Sequence, residues 1–114
     1  MGYFESHQQT LVKNFPELTA PGVTDTVDVL VANYLSTRNY TLIVTVTNIN
    51  TSVVVRLDGS IDNINFGPMI SNTITENGTY PYHVNGFPMG YLRGNFLSEA
   101  GGTSAVVKFS IAAN

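Results

Sequence analysis

The segment from residue 40 to residue 60 constrains the fold most, because apolar and polar side chains alternate along both of its halves. Its apolar face consists of Leu42, Val44 and Val46 in the first half, and of Val53, Val55 and Leu57 in the second. Alternate residues of an extended chain point to opposite faces, and β-branched residues favour a pleated strand over a helix. The polar residues 48–51 separate the halves at the length of a short loop. The segment therefore predicts a β-hairpin that is buried on one side.

The same two-residue period continues in the rest of the chain and predicts an all-β protein. Further extended stretches are expected at residues 24–31, 69–75, 79–84, 89–98 and 104–112. Asn77-Gly78 is a strong signal for a hairpin turn, and Pro81 restricts its strand to an edge or a bulge. Short strands at intervals of about ten to twelve residues indicate an antiparallel β-sandwich or jelly roll of about eight strands.

Residues 1–22 differ from the rest and predict an extended N-terminal arm in front of a β-sandwich domain at residues 23–114. Pro16 and Pro21 each remove a backbone donor and disfavour regular structure around them. The arm is too apolar to remain in water, so we expect it to lie along a protein surface, with a disordered terminus as the alternative. Its predicted anchors are Tyr3, Phe4, Leu11, Val12, Phe15 and Leu18. Deleting residues 1–22 is expected to leave a folded domain that no longer binds its partner.

Charge limits the partners of this chain. The 114 residues carry a formal net charge of −3 with only five Lys and Arg, and these are dispersed. Because nucleic acids are bound by clustered cations, we expect no nucleic-acid partner, and no apolar run reaches the roughly 18 residues of a membrane span. Charged residues make up 11% of the sequence, against roughly 25% in ordinary soluble domains. A surface poor in charge fits a protein that contacts other proteins, and an ordinary extracellular-type β domain fits it as well.

No catalytic centre is predicted from the ionisable residues. The chain has no cysteine, which excludes a thiol nucleophile, disulfides and a thiolate metal site. The two histidines are His7, in the arm, and His83, on an expected strand. Ser98-Glu99 lacks the Gly-x-Ser-x-Gly pattern of a nucleophile elbow. We therefore predict a protein that is not an enzyme.

One stretch has the spacing of a metal-binding loop. Asp58, Ser60 and Asp62 place oxygen ligands at alternate positions, as a calcium loop does. However, Asn63 stands where such a loop has glycine, and Met69 stands where it has a bidentate acid. We interpret the two aspartates as residues that cap their own turns, and we predict neither a metal nor a cofactor.

The tyrosines leave a carbohydrate-binding function open as an alternative. Sugar-binding sandwiches present flat aromatic platforms, and this chain has no tryptophan. The candidates that remain are Tyr34, Tyr40, Tyr80, Tyr82 and Tyr91. Aromatic side chains on strands also pack against the core while their hydroxyl groups reach water. If the chain binds glycans, Tyr80→Ala or Tyr82→Ala is expected to abolish that binding.

Several short motifs resemble one group of proteins. They are Leu57-Asp58-Gly59-Ser60, followed by Asp62, Asn65 and Phe66, then Tyr91-Leu92-Arg93, and the loop at 98–103. This order resembles small β-sandwich modules of tailed-phage virion proteins and of some bacterial surface proteins. In those modules a strand ends in Gly-Ser-x-Asp-Gly-x-Asn-Trp and a later strand carries Tyr-x-Arg. The chain departs from the pattern at Asn63, where glycine is common, and at Phe66, where tryptophan is usual.

A domain of this size, low in charge and with a leading arm, is most similar to the decoration (cement) proteins of phage capsids. The resemblance implies a non-enzymatic virion protein on the capsid exterior that binds the major capsid protein and bridges its subunits. It carries over no catalytic residues, and we expect self-association, most simply as a homotrimer. The alternative is a carbohydrate- or cell-surface-binding module of a phage tail or fibre, and a baseplate or neck component would share the fold.

Overall fold

Nine β-strands and no helix are present in the computed structural model, which describes residues 11–29, 39–86 and 88–113. No helix in these ranges is long and apolar enough to cross a membrane. The strands are β1 (Leu11–Asn14), β2 (Gly22–Val23), β3 (Val27–Asp28), β4 (Asn39–Thr47), β5 (Ser52–Ser60), β6 (Gly67–Ile74), β7 (Gly78–Asn85), β8 (Tyr91–Ala100) and β9 (Val106–Ala113).

The strands form two antiparallel sheets that pack face to face. One sheet has the order β1-β9-β4-β7, and the other has the order β2-β8-β5-β6 with β3 also pairing with β8. The inner faces carry the apolar members of each alternation, and the largest fully buried side chains are Tyr40, Phe96, Phe109, Leu42, Leu57, Leu92 and Ile111. The predicted antiparallel β-sandwich is confirmed, while the narrower assignment as a jelly roll stays a prediction.

The predicted hairpin of residues 40–60 is wrong. β4 pairs with β7 and β9, and β5 pairs with β6 and β8, so the two strands lie at the centres of different sheets. The loop at 48–51 crosses between the sheets, and the two apolar faces meet across the core. Asn77-Gly78 likewise connects strands of different sheets, because β6 and β7 do not pair. Alternation reports which face of a strand is buried, but it does not report which strand lies beside it.

The segment 11–29 closes one side of the sandwich. β1 pairs with β9 along Leu11–Asn14, and Leu18 exchanges backbone hydrogen bonds with Val107 at 2.7 and 2.9 Å. The chain then crosses to the other sheet, where β2 and β3 pair with β8. Residues 11–22 thus run along the described sandwich and pair with strands of both sheets, and the division into an arm and a domain at residue 22 stays a prediction. Deleting residues 1–22 therefore removes a strand from a sheet, and we expect that deletion to cost stability as well as any contact with a partner.

Candidate protein-binding surface

The loop at residues 61–66 presents two large apolar side chains to solvent. Ile61 is 76% exposed and Ile64 is 80% exposed, the two highest values among the large hydrophobic residues that the structure describes. The loop connects β5 to β6, which are paired neighbours in one sheet, so it projects from one end of the sandwich. Isolated exposed apolar residues are ordinary on protein surfaces. Two on one short loop are notable here because the loop holds them in a fixed position.

Asp62 caps this loop with its side chain. Its Oδ1 atom accepts hydrogen bonds from the backbone N–H groups of Ile64 and Asn65 and from the Ser60 hydroxyl, all at 2.9 Å. Its Oδ2 atom accepts a further bond from the Asn65 side-chain amide at 2.9 Å. The Ser60 hydroxyl in turn accepts the N–H groups of Asp62 and Asn63 at 3.2 and 2.9 Å. Asn63 adopts a φ of 64°, a left-handed conformation that asparagine tolerates well. Asp62 therefore caps its own turn, as we interpreted it from the sequence.

These hydrogen bonds depress the pKa of Asp62 far below its ordinary value, the backbone N–H groups of Asn65 and Ile64 being the largest causes. A depressed pKa means that the cap stabilises the loop above the unfolded-state pKa of about 3.9, and that this effect is lost only as the pH falls through the folded-state pKa. We therefore expect the amide chemical shifts of Ile64 and Asn65 to stay constant from pH 7 to about pH 3. Titration of these shifts with a midpoint near 4 would contradict the cap, and Asp62→Asn is the matched control because its amide cannot titrate.

The far end of the loop is fixed to the outer face of the β2-β8-β5-β6 sheet. The guanidinium carbon of Arg93 lies 4.1 Å from the centre of the Phe66 ring, at the distance of a cation–π contact. The Nε atom of Arg93 lies 3.3 Å from Oδ2 of Asp58, whose side chain is fully buried. Arg56 and Asn95 also donate to Asp58, at 3.1 Å each. The loop is thus anchored through Ser60 and Asp62 at its start and through Phe66 at its end.

An apolar cleft of about 340 Å³ adjoins the loop. It is lined by Gly59, Ser60, Ile61, Asn65, Gly67, Pro68, Met69 and Met89. Gly59 is one of the lining residues, and a Cβ atom there would lie 2.5 Å from the Met69 sulfur. The two methionines supply flexible, polarisable surface that adapts to apolar groups of varied shape. Ile61 lines this cleft, and Ile64 lies three residues further along the same loop. We call Ile61, Ile64 and the cleft together the loop surface.

The motif residues at 57–66 and 91–93 converge at the loop surface, whereas the motif loop at 98–103 lies against Asn50 and Thr51 at the other end of β5. Leu57-Asp58-Gly59-Ser60 leads into the loop, and Asp58 contacts Arg93 of the Tyr91-Leu92-Arg93 motif. Phe66, in the position that tryptophan usually occupies, packs on the same arginine. These motifs are visible in the sequence, but the shared role of residues 57–66 and 91–93 in building and anchoring one loop is not. Ile61 and Ile64 were missed, and their signal was two isoleucines within an otherwise polar turn.

The calcium-like spacing does not produce a shared oxygen cluster. Asp58 faces the two arginines, whereas Ser60 and Asp62 bond to each other and to the loop backbone. The interpretation of Asp58 as a residue that caps its own turn is therefore wrong, because it lies within β5 and its partners are side chains. No group of three or more His, Cys, Asp or Glu side chains that could hold a metal occurs within residues 11–29, 39–86 and 88–113.

The predicted arm anchors fall into three groups. Tyr3 and Phe4 lie outside the described residues. Leu11, Phe15 and Leu18 pack on the core of this chain itself, and Phe15 is only 3% exposed. Val12 is 60% exposed on the edge strand β1, so it remains accessible to another protein. The partner-binding role of these residues stays a prediction, and the structure gives three of them a place in the fold.

The other candidate residues have structural contacts of their own. His83 shares a 3.1 Å hydrogen bond with the Thr41 hydroxyl on the outer face of the β1-β9-β4-β7 sheet. Glu99 accepts the N–H of Ala105 at 2.9 Å and so holds the loop before β9. Tyr80 and Tyr82 pack partly against the core, and the Tyr80 hydroxyl donates to the carbonyl of Glu76 at 2.6 Å. These two tyrosines do not form a flat exposed platform.

No protein-family model matches the chain, and no curated protein matches its sequence. Among solved structures, it is similar to the SPBc2 prophage-derived protein YomS, with a TM-score of 0.60 and 12% identity over 93% of this chain and 94% of that one. A further match is the Tobacco streak virus coat protein, solved as a dimer, with a TM-score of 0.41 and 12% identity over 93% of this chain and 84% of that one. The first likeness shows a common fold, and the second is too low to show one.

Proposed function

We propose that this chain is a non-enzymatic virion structural protein, a decoration (cement) protein that binds the capsid exterior and bridges major-capsid subunits. The observation that carries the proposal is the loop surface, on which a capped loop holds two exposed isoleucines beside an apolar cleft. The resemblance of the motifs to phage virion modules supports the virion location. The fold shared with a protein described as prophage-derived is compatible with it.

The loop surface suits tight binding to another protein because it is already ordered. Binding energy is concentrated in a few well-packed side chains, and ordering flexible groups on association reduces the affinity. Ile61 and Ile64 each contribute roughly 1.5–3 kcal/mol if fully buried. The Asp62 cap and the Phe66–Arg93 contact fix the loop before binding, so little of this energy is spent on ordering it.

A bridging protein also needs contacts to more than one subunit. The two sheets supply a stiff body, and Val12 on β1 offers a second exposed apolar side chain. The predicted arm would extend the contact, and self-association would multiply it through avidity. The homotrimer expected from the sequence stays a prediction. The exposed edge of β6, described below, allows a two-fold contact as well.

Replacing both exposed isoleucines tests the proposal directly. We expect Ile61→Ser with Ile64→Ser to weaken binding to shells of the major capsid protein from the same genome by at least about 100-fold, because two central apolar contacts are lost. The free energy of unfolding is expected to stay unchanged, since both side chains are in solvent. Binding is measured by co-sedimentation of the chain with undecorated shells over a concentration series.

Val23→Ser with Leu97→Ser is the matched control, because both residues are 45% exposed and neither belongs to the loop or lines the cleft. Wild-type affinity for shells in the isoleucine variant would contradict the role of the loop surface. Gold-labelled antibody on intact virions tests the location, and label confined to the tail would contradict the capsid assignment and favour the tail or fibre module.

A further inference from the structure

β6 is an open sheet edge, and its residues from Ile70 to Ile74 lack the devices that usually protect one. It is the last strand of the β2-β8-β5-β6 sheet, and no strand in the described part of the chain pairs with its outer side. An unpaired strand edge presents a row of N–H and C=O groups that can accept another strand. Its eight residues, Gly67–Ile74, include no ionisable side chain, and its proline lies at the second position.

The other described edges are shorter or blocked. β1 has four residues and carries Lys13, and β2 and β3 have two residues each. β7 has eight residues, but Pro81 interrupts its middle, and this confirms the prediction that Pro81 lies on an edge strand. Charges, prolines and short length are the means by which proteins prevent edge pairing. In β6 the proline and an irregularity of the pairing with β5 lie at residues 68 and 69, and the five residues from Ile70 to Ile74 have regular pairing, no charge and no proline.

We propose that β6 pairs antiparallel with β6 of a second copy of this chain, across a two-fold axis at Asn72. Directly paired residues of antiparallel strands point to the same face of the sheet. The two-fold axis must therefore pair one residue of the strand with the same residue of the second copy. An axis at Asn72 places Ile70 opposite Ile74 on the inner face and Ser71 opposite Thr73 on the outer face. An axis at Ser71 or Thr73 would instead place Asn72 opposite Ile70 or Ile74.

The chemistry of the strand is self-complementary in this register. The alternation is regular from Ile70 to Ile74, with Ser71 and Thr73 exposed and Ile74 buried. Two isoleucine pairs would extend the core across the axis, and the two Asn72 amides would face each other as donor and acceptor. Two-fold pairing brings identical strands together, so a charged strand would repel itself, whereas β6 carries no charge. The self-complementary pairs of isoleucines, hydroxyl side chains and amides favour a second copy over a partner of different sequence.

The pairing joins the two β2-β8-β5-β6 sheets into one continuous sheet. Such a contact is isologous and gives a dimer. A strand pair alone buries less than the roughly 1,200 Å² at the lower limit of standard stable interfaces, so we expect the dimer to form with increasing concentration. The inference concerns the isolated chain and does not depend on the identity of the capsid partner.

A charge-swap pair tests the register in the full chain. In the proposed dimer, position 71 of one copy lies opposite position 73 of the other. Ser71→Lys with Thr73→Lys therefore opposes like charges, and we expect the dissociation constant to rise at least about tenfold. Ser71→Lys with Thr73→Glu opposes unlike charges twice and is expected to dimerise like wild type. Both residues are exposed on the outer face, so neither change is expected to unfold the sandwich.

Sedimentation equilibrium up to about 1 mM measures the result. The wild-type mass is expected to rise from 12.4 kDa towards twice that value, as is the mass of the control Thr47→Lys with Thr103→Lys, which adds the same charge elsewhere. In wild type, amide exchange in β6 is expected to become slower as the concentration rises and the dimer forms. A monomer at every concentration, a trimeric mass, or equal loss in both charge variants would overturn the proposal. The mass of the assembly is measured without shells, so its outcome does not depend on whether the isoleucine variant binds them.

Discussion

Replacing Gly94 with alanine is expected to lower the free energy of unfolding by about 3 kcal/mol, the upper end of the usual cost of overpacking a core. A Cβ atom on Gly94 would lie 2.5, 2.7 and 2.9 Å from three ring carbons of Phe109. Gly94 is in β8 and Phe109 in β9, so this contact joins the two sheets at the centre of the sandwich. Phe109 is fully buried, so its ring is surrounded by other core side chains. Urea unfolding of both proteins measures the difference.

Two further variants isolate the steric cause. Gly67→Ala is the matched control, because no atom lies within 4 Å of a Cβ atom at that strand position, and we expect it to change stability little. Phe109→Leu removes the ring that the new methyl group would strike. Although this change costs stability alone, we expect the cost of Gly94→Ala to fall by at least about 1 kcal/mol in its presence. Equal costs for Gly94→Ala in both backgrounds, or equal costs at positions 94 and 67, would show that ring contact is not the cause.

Periodicity predicted the burial of the fold better than its pairing. Leu42, Val44 and Val46 were placed on a buried face from the sequence, and each is fully buried. The loop at 48–51 and the turn at Asn77-Gly78 were both interpreted as hairpin turns, and both connections cross between the sheets. A local pattern cannot distinguish these cases. Two consecutive strands bury one face each whether they pair within one sheet or pack against each other from different sheets, so the alternation is the same.

The N-terminal segment shows the same limit. Pro16 and Pro21 correctly exclude long regular structure, but the pairing of β1 with β9 joins positions about a hundred residues apart and leaves no local signal. In the candidate surface, the turn-capping role of Asp62 was predictable because its partners are within three residues. The anchoring of Phe66 by Arg93 and Asp58 was not, since it depends on β5 and β8 being neighbours.

Removing the Asp58 carboxylate is expected to lower the free energy of unfolding by about 3 kcal/mol, which we test with Asp58→Ala. Loss of one partner from a buried charged network costs roughly 3–5 kcal/mol, because the remaining charges stay desolvated. The Arg56 and Arg93 side chains are 25% and 27% exposed, so water compensates them in part and the lower end of that range applies. Asn95 is buried and loses the acceptor of its side-chain amide, which adds to the cost.

The same substitution is expected to loosen the loop surface, since Arg93 would no longer be held beneath Phe66. Asp58→Asn is the informative comparison, because it keeps the shape and one acceptor oxygen while removing the charge, and we expect it to cost less than Asp58→Ala. Arg56→Met leaves Asp58 paired with Arg93 and is expected to keep the loop in place. Amide exchange at Ile64 and Asn65 separates these cases, with faster exchange in Asp58→Ala than in Arg56→Met. If Asp58→Ala unfolds at the wild-type urea midpoint, or if exchange in the loop is the same in both variants, the buried carboxylate does not anchor the surface on which the proposed function rests.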